Sequence, residues 1–279
     1  MDVVRLACTG ANDILAVVAL AGYEIGDSEG LAHWNGRTWT WLEKRNSWTL
    51  GLDRYQGQWA ILDFFGKIDL YDTNSVALSM QTGFTGLNEM YIREAEIFAV
   101  GIKGGFLRFS LGTWDRINHS FADNLYSVSG AGNSIYACGA NGLILEYDGS
   151  ICRKIDVNCQ CDFTSISCTK DGAVYAVGGQ NETGFMVDLI SGHVYSLPSR
   201  LQFIKSVSSY EIYGVDLDGV VWAWDGIHAK KIANCNGMEA ISLSRSDNVL
   251  AIGGRNAIAI KDDEIFRVIP VLLDSSFLD

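Results

Sequence analysis

Four histidines, His33, His119, His193 and His228, are the first candidates for acid–base chemistry or metal binding. They lie far apart in the chain, without HxH or HxxxH spacing, so nothing brings two of them onto one ion. The densest thiol region holds Cys152, Cys159, Cys161 and Cys168. Its spacing, C-x6-C-x-C-x6-C, lacks the CxxC knuckles that wrap a tetrahedral zinc. Cys168 also falls in an apolar stretch expected to face a core, where cysteine behaves as a small hydrophobe. No GxSxG, GxxxxGK[ST] or helix-opening GxGxxG is present, which removes the common nucleophile and phosphate-binding motifs. The carboxylate pairs Asp262-Asp263 and Asp216/Asp218 sit in turn-like contexts, and spacing alone sets no catalytic separation for them. Neither a metal nor a cofactor is expected, and the chain reads as a non-enzyme.

The elements that would position any such residue are short strands. Ser134 to Gly149, SIYACGANGLILEYDG, shows the plan: strand, Gly-Ala-Asn-Gly turn, strand, then Asp148-Gly149 as a type I′ hairpin signal. The core of this unit recurs as Leu15-Ala16-Val17, Trp59-Ala60-Ile61, Phe98-Ala99-Val100, Tyr136-Ala137-Cys138, Tyr175-Ala176-Val177, Tyr213-Gly214-Val215 and Leu250-Ala251-Ile252. The successive gaps are 44, 39, 38, 39, 38 and 37 residues. Repeats of about forty residues, each with four short strands, are the mark of propeller blades. The expected fold is all-β: a seven-bladed β-propeller with four antiparallel strands per blade. It forms one domain over 1–279, with blades at approximately 1–45, 46–83, 84–121, 122–160, 161–200, 201–236 and 237–279.

The small residue in each second strand has a packing reason. Ala or Gly lets neighbouring sheets approach, while the preceding large residue fills the gap on the opposite face. Two copies depart from the plan. The first carries a long insertion, Gly22 to Gly30 (GYEIGDSEG), and the second has Phe64-Phe65-Gly66 where other copies have Gly and polar residues. Insertions in repeat folds map to loops on one face, often the binding face. Tyr23, Glu24, Asp27, Glu29, Phe64 and Phe65 are therefore the candidate partner-binding residues, aromatics ringed by charge as in an interface core and rim. The strands run in simple order from Val3–Thr9 to Glu264–Val271, with no strand exchanged between first and last blades. How the tail, residues 272–279, meets the ring stays open.

Composition narrows the partners. The chain has 279 residues, 48% hydrophobic, with 30 Gly, only 2 Pro, and a net charge of −12. Such acidity disfavours nucleic acid and anionic membranes, and steers a basic protein partner. The start, Met1 to Arg5, shows no basic segment leading into a long apolar run, and no stretch reaches the roughly 18 residues needed to cross a bilayer. Seven scattered cysteines suggest reduced thiols. The expectation is a soluble, cytoplasmic monomer.

The units SIYACGANGLILEYDG and EIYGVDLDGVVWAWDG resemble the IYAVGxxGxIxxYDG pattern of the WD40/YVTN/BNR-like propeller superfamily. The Trp-Asp pair of WD40 repeats stands only at Trp224-Asp225, and the Asp box is missing. Asn35 to Trp39 and Leu111 to Trp114 echo its tail. No arginine recurs at an inner position, which argues against a sialidase-like site. As a small acidic propeller and nothing else, the chain is similar to bacterial propeller immunity proteins. That resemblance implies a non-catalytic inhibitor that occludes a basic toxin or enzyme. The alternatives are an adaptor in a larger assembly, and an enzyme or small-molecule binder using the central channel.

Overall fold

The computed structural model describes all residues except 20–27, 73–74, 170, 182, 209–210, 227, 233–237, 247–248, 263–264 and 272–279. Seven four-stranded sheets follow one another along the chain, each antiparallel and each in sequential strand order. The first strands are Asp2–Gly10, Thr49–Tyr55, Leu87–Arg93, Leu125–Ala131, Asp162–Cys168, Leu201–Ser208 and Ala240–Ser246. All seven line a single central cavity. The sheets are therefore blades of a β-propeller, first strand innermost.

The hydrophobic core is divided rather than central. Seven apolar clusters lie one at each joint between neighbouring blades. Leu15, Val17 and Leu31 of blade 1 meet Trp59, Ile61 and Tyr71 of blade 2, and Ile14, Ala16 and Trp34 meet Ala251, Ile258 and Ile260 of blade 7. Alternation along each strand sends successive side chains to opposite neighbours.

Every first strand carries a β-bulge near its start, which leaves Val4, Leu50, Asn88, Tyr126, Thr164, Gln202 and Ile241 unpaired. The bulges give a structural ruler for the repeat. By that ruler the equivalents of Ala137 are Ala16, Ile61, Ala99, Ala176, Gly214 and Ile252. The sequence alignment had Ala60 and Ala251 there; both belong one position earlier. A one-residue slip moves a strand side chain to the other face. In blades 2 and 7 the large and small residues have exchanged faces, with Ile61 against blade 1 and Ala60 against blade 3.

Among the described residues the ring closes without strand exchange. Asn256 N donates to Met1 O at 2.7 Å. Cys8 N donates to Ser244 Oγ at 3.1 Å, and Ser242 Oγ donates to Val3 O at 3.0 Å. The Asp148-Gly149 turn also differs from the type I′ expectation. Of its two central residues, Gly149 and Ser150, only Gly149 has positive φ (98°), which is the type II′ pattern. Asp148 sits before the turn and accepts from Ser150 N and Ile151 N, each at 2.9 Å. These bonds hold its carboxyl at about 2, below the usual range. Asn35, Asp188 and Asp225 accept in the same way in blades 1, 5 and 6.

Candidate functional site

In an antiparallel blade, the links from second to third strand and from fourth strand to the next blade open at one end of the ring. At that end, blades 2 and 3 expose a row of apolar side chains. Phe64 follows the second strand Gln58–Asp63, and Trp48 precedes the first strand Thr49–Tyr55. Their rings stack with centroids 5.4 Å apart, and Phe65 meets Phe64 edge-on at 5.8 Å. Trp48 is 44% exposed, Phe65 60% and Ile102 37%. Ile102 covers Gly86, where an added Cβ would lie 2.5 Å from its Cδ1.

The row is held by its backbone. Phe64 N donates to Trp48 O at 2.9 Å, and Gly86 N donates to Phe64 O at 2.7 Å, so Phe64 is tied to the links on both sides. The buried Asp63 carboxylate accepts from Lys67 N at 2.9 Å and closes the turn. Gly66 is required there. It has φ 79°, and a Cβ would stand 1.8 Å from Phe84 O. A rigid, exposed aromatic shelf is the arrangement that supplies contact area at low cost in side-chain entropy.

The other candidates from the insertion divide. Tyr23, Glu24 and Asp27 lie outside the described residues. Glu29 is not in a loop: it opens the third strand of blade 1, Glu29–Trp34, and is fully buried. Its Oε2 accepts from Thr49 N at 3.1 Å. Burial raises its carboxyl, with Thr49, Arg45 and Arg5 opposing. Glu29 braces blade 1 against blade 2 and offers no surface to a partner. Beside it, Arg45 donates to Glu43 at 2.7 Å, to Tyr71 Oη at 2.7 Å and to Asp69 at 3.0 Å. This ionic joint was not foreseen from the sequence, because its members are scattered over two blades.

The histidines and cysteines are spread around the ring. His33 Nε2 lies 2.7 Å from Asp13 Oδ1, and Arg54 reaches the same carboxylate at 3.0 Å while stacking on Trp59. His119 Nδ1 accepts from Phe121 N, and His193 packs on Tyr195. Cys159 and Cys161 sulfurs are 3.6 Å apart. Burial pushes the Cys161 and Cys168 thiols each up to about 12, away from thiolate chemistry. Among the described residues no three metal-ligating side chains gather.

The central cavity has a volume of about 380 Å³. A serine pattern joins the blades around it. Val128 N donates to Glu89 Oε2 at 3.0 Å, Ile166 N to Ser127 Oγ at 3.1 Å, and Ile204 N to Ser165 Oγ at 3.2 Å. Each acceptor follows a bulge and each donor lies 39 residues on. The repeated Ser-x-Ser of Ser127-Val128-Ser129, Ser165-Ile166-Ser167 and Ser242-Leu243-Ser244 is the signal that would have revealed this ladder.

No protein-family model matches the chain, and no curated protein sequence does. Solved structures do match. The WD40 β-propeller domain of Doa1 superposes with TM-score 0.73 at 11% identity, over 99% of this chain and 94% of that one. A chain of the mitotic checkpoint complex gives 0.68 at 11% identity, over 97% and 88%. The computationally designed Ika8 protein gives 0.61 at 16% identity, over 97% and 96%. The fold is a seven-bladed propeller of the kind seen in WD40 domains. At these identities the likeness is one of fold. No helix among the described residues is long and apolar enough to cross a membrane.

Proposed function

We propose that this chain is a non-catalytic, protein-binding propeller. Its docking surface is the Trp48, Phe64 and Phe65 shelf, continued by Ile102. The observation that carries the reading is that shelf: large apolar side chains, held rigidly by backbone hydrogen bonds and left exposed at one end of the ring. Exposed, pre-organised aromatics suit the fully desolvated centre of an interface. Tyr23, Glu24 and Asp27 are proposed as its acidic rim; Glu29, being buried, is not. The finer reading is an inhibitor acting as a cytoplasmic monomer, which occludes a basic toxin or enzyme in the manner of bacterial propeller immunity proteins. A net charge of −12 supports a cationic partner through steering.

The test is capture of partners from the native host at low salt, by wild type and by a Trp48→Ser, Phe65→Ser variant. Trp48 is 44% and Phe65 60% exposed, so the variant should fold, and its thermal midpoint is measured alongside as the check. The expected result is a basic partner whose affinity for the variant falls by about a hundredfold, as for hot-spot residues. Equal capture by both proteins removes the shelf from the interface. Absence of any partner at low ionic strength, where steering is strongest, removes the binding reading itself.

A further inference from the structure

The central channel carries chemistry opposite to that of the surface. Its lining includes Arg5, Lys205 and Arg245 against Asp53 and Glu89, an excess of cation inside a chain of net charge −12. Two of these cations, Arg5 and Lys205, are related through Phe203. Phe203 and Lys205 lie two apart on the first strand of blade 6 and so share a face. The guanidinium carbon of Arg5, from blade 1, lies 5.6 Å from the Phe203 ring centroid. Lys205 reaches across the channel towards blade 3, where its Nζ stops 3.9 Å from Glu89 Oε1. That distance is too long for a hydrogen bond.

Several donors here are left without a hydrogen-bond acceptor, although the Asp53 and Glu89 carboxylates share the space. Among the described residues no acceptor lies within hydrogen-bond distance of Lys205 Nζ. Arg5 uses Nε on Leu50 O at 3.2 Å and Nη1 on Val4 O at 2.8 Å, which leaves Nη2. Glu89 Oε2 is already taken by Val128 N. Ser127, Ser129 and Ser165 line the same space, and each accepts a backbone N–H from the next blade. A hydroxyl that has accepted still has its proton to donate. A cavity of about 380 Å³ falls within the range of small-ligand sites. Hydroxyl groups and two cations around one space match an acceptor-only ligand with several oxygens.

We propose that the channel is a binding site for a small multivalent oxyanion, a carboxylate or a phosphate, held between Lys205 and Arg5 and hydrogen-bonded by Ser127, Ser129 and Ser165. The site goes beyond the protein-binding reading and does not depend on it. The surface acidity does not exclude it, because exposed charges more than about 8 Å away are screened at physiological salt.

The experiment titrates the protein with citrate and, separately, with inorganic phosphate, each against sodium chloride at equal ionic strength. It is followed by calorimetry and by amide shifts in the NMR spectrum. The expected result is saturable binding of at least one probe with a dissociation constant of about 1 mM or below. The identity of the tighter probe distinguishes carboxylate from phosphate. Shifts fall on the first strands Leu125–Ala131 and Asp162–Cys168. Lys205→Met weakens binding by about tenfold or more, whereas Lys205→Arg retains it. The Trp48→Ser, Phe65→Ser variant binds as wild type, which separates this site from the docking shelf. The proposal is overturned if neither probe saturates above the chloride control by about 20 mM, if the shifted amides lie on the rim, or if Lys205→Met binds equally well. The wild-type amide map decides the matter should Lys205→Met fail to fold.

Discussion

Between blades 3, 4, 5 and 6 the inner ring is joined by side-chain oxygens that each take one backbone N–H from the next blade. Between blades 1 and 2 the corresponding place holds Arg5, a donor rather than an acceptor, whose Nε goes to Leu50 O at 3.2 Å, and the outer joint is a buried guanidinium among Glu43, Asp69 and Tyr71. The first solution is repeated, with serine hydroxyls as acceptors except for the Glu89 carboxylate between blades 3 and 4. The second is built from residues of two blades and depends on desolvated charge, whose net contribution to stability is small unless a partner is lost. The aromatic shelf rises from the second region, not the first. The uniform arc maintains the ring, and the irregular junction is where this chain differs from a minimal propeller. Rigidity at an irregular site, bought by Gly66 and the Phe64 hydrogen bonds, is what a docking surface requires.

The largest test of this contrast uses one turn in two places. Gly66 in blade 2 and Gly142 in blade 4 both end the link from second to third strand, with φ of 79° and 73°. An added Cβ at Gly66 meets Phe84 O at 1.8 Å and Thr82 Oγ1 at 2.5 Å, whereas at Gly142 the nearest atom is Cys159 O at 3.2 Å. Gly66→Ala should cost about 3 kcal/mol or more through strain and overpacking. Gly142→Ala should cost about 1–2 kcal/mol, the penalty of a left-handed alanine. Urea midpoints measure both. Equal costs would mean that the shelf is no more tightly built than the plain turns.

The second test concerns the serine joints of the arc. Ser127→Ala removes the acceptor for Ile166 N in a buried setting, and should cost about 1–2 kcal/mol. Amide exchange at Ile166 should accelerate, while exchange around Phe64 should not change. Acceleration at both sites would show that the two regions are not independent.

These residues also show what was readable beforehand. The seven repeats and the four-strand plan followed from periodicity and turn residues, because each blade repeats the same local problem. The departures of blade 2 pointed to Phe64 and Phe65 for the same reason. Trp48 was missed because it lies in a link between blades, where the repeat has no fixed pattern. Glu29 was misread because the insertion was taken to end at Gly30, whereas pairing of Glu29 with both Ala19 and Arg45 begins the strand earlier. The slip at Ala60 and Ala251 has a similar origin. Small and large residues exchange faces there, and only the bulge in the partner strand reveals which face is which. The cross-channel placement of Lys205 against Glu89 is a property of ring closure, and no spacing within one blade contains it.

The smallest effect is expected from Asp53, on the irregular side of the channel. Asp53 is half-buried among the first strands and lines the channel. Burial raises it to about 6; the N–H groups of Arg54 and Ile92 and the Lys205 charge oppose this, and Glu89 adds to it. In the unfolded chain an aspartate titrates near about 3.9. The folded state therefore holds the proton more tightly. The stabilisation linked to it is fully present below about pH 4 and is lost as pH rises through about 6. Relative to Asp53→Asn, wild type should lose about 1 kcal/mol across that window, after discounting for screening by channel water. Urea midpoints from pH 4 to 7 provide the measurement. Parallel profiles for the two proteins would show that Asp53 is solvated like a surface carboxylate, and that the cations beside it experience the channel as open water.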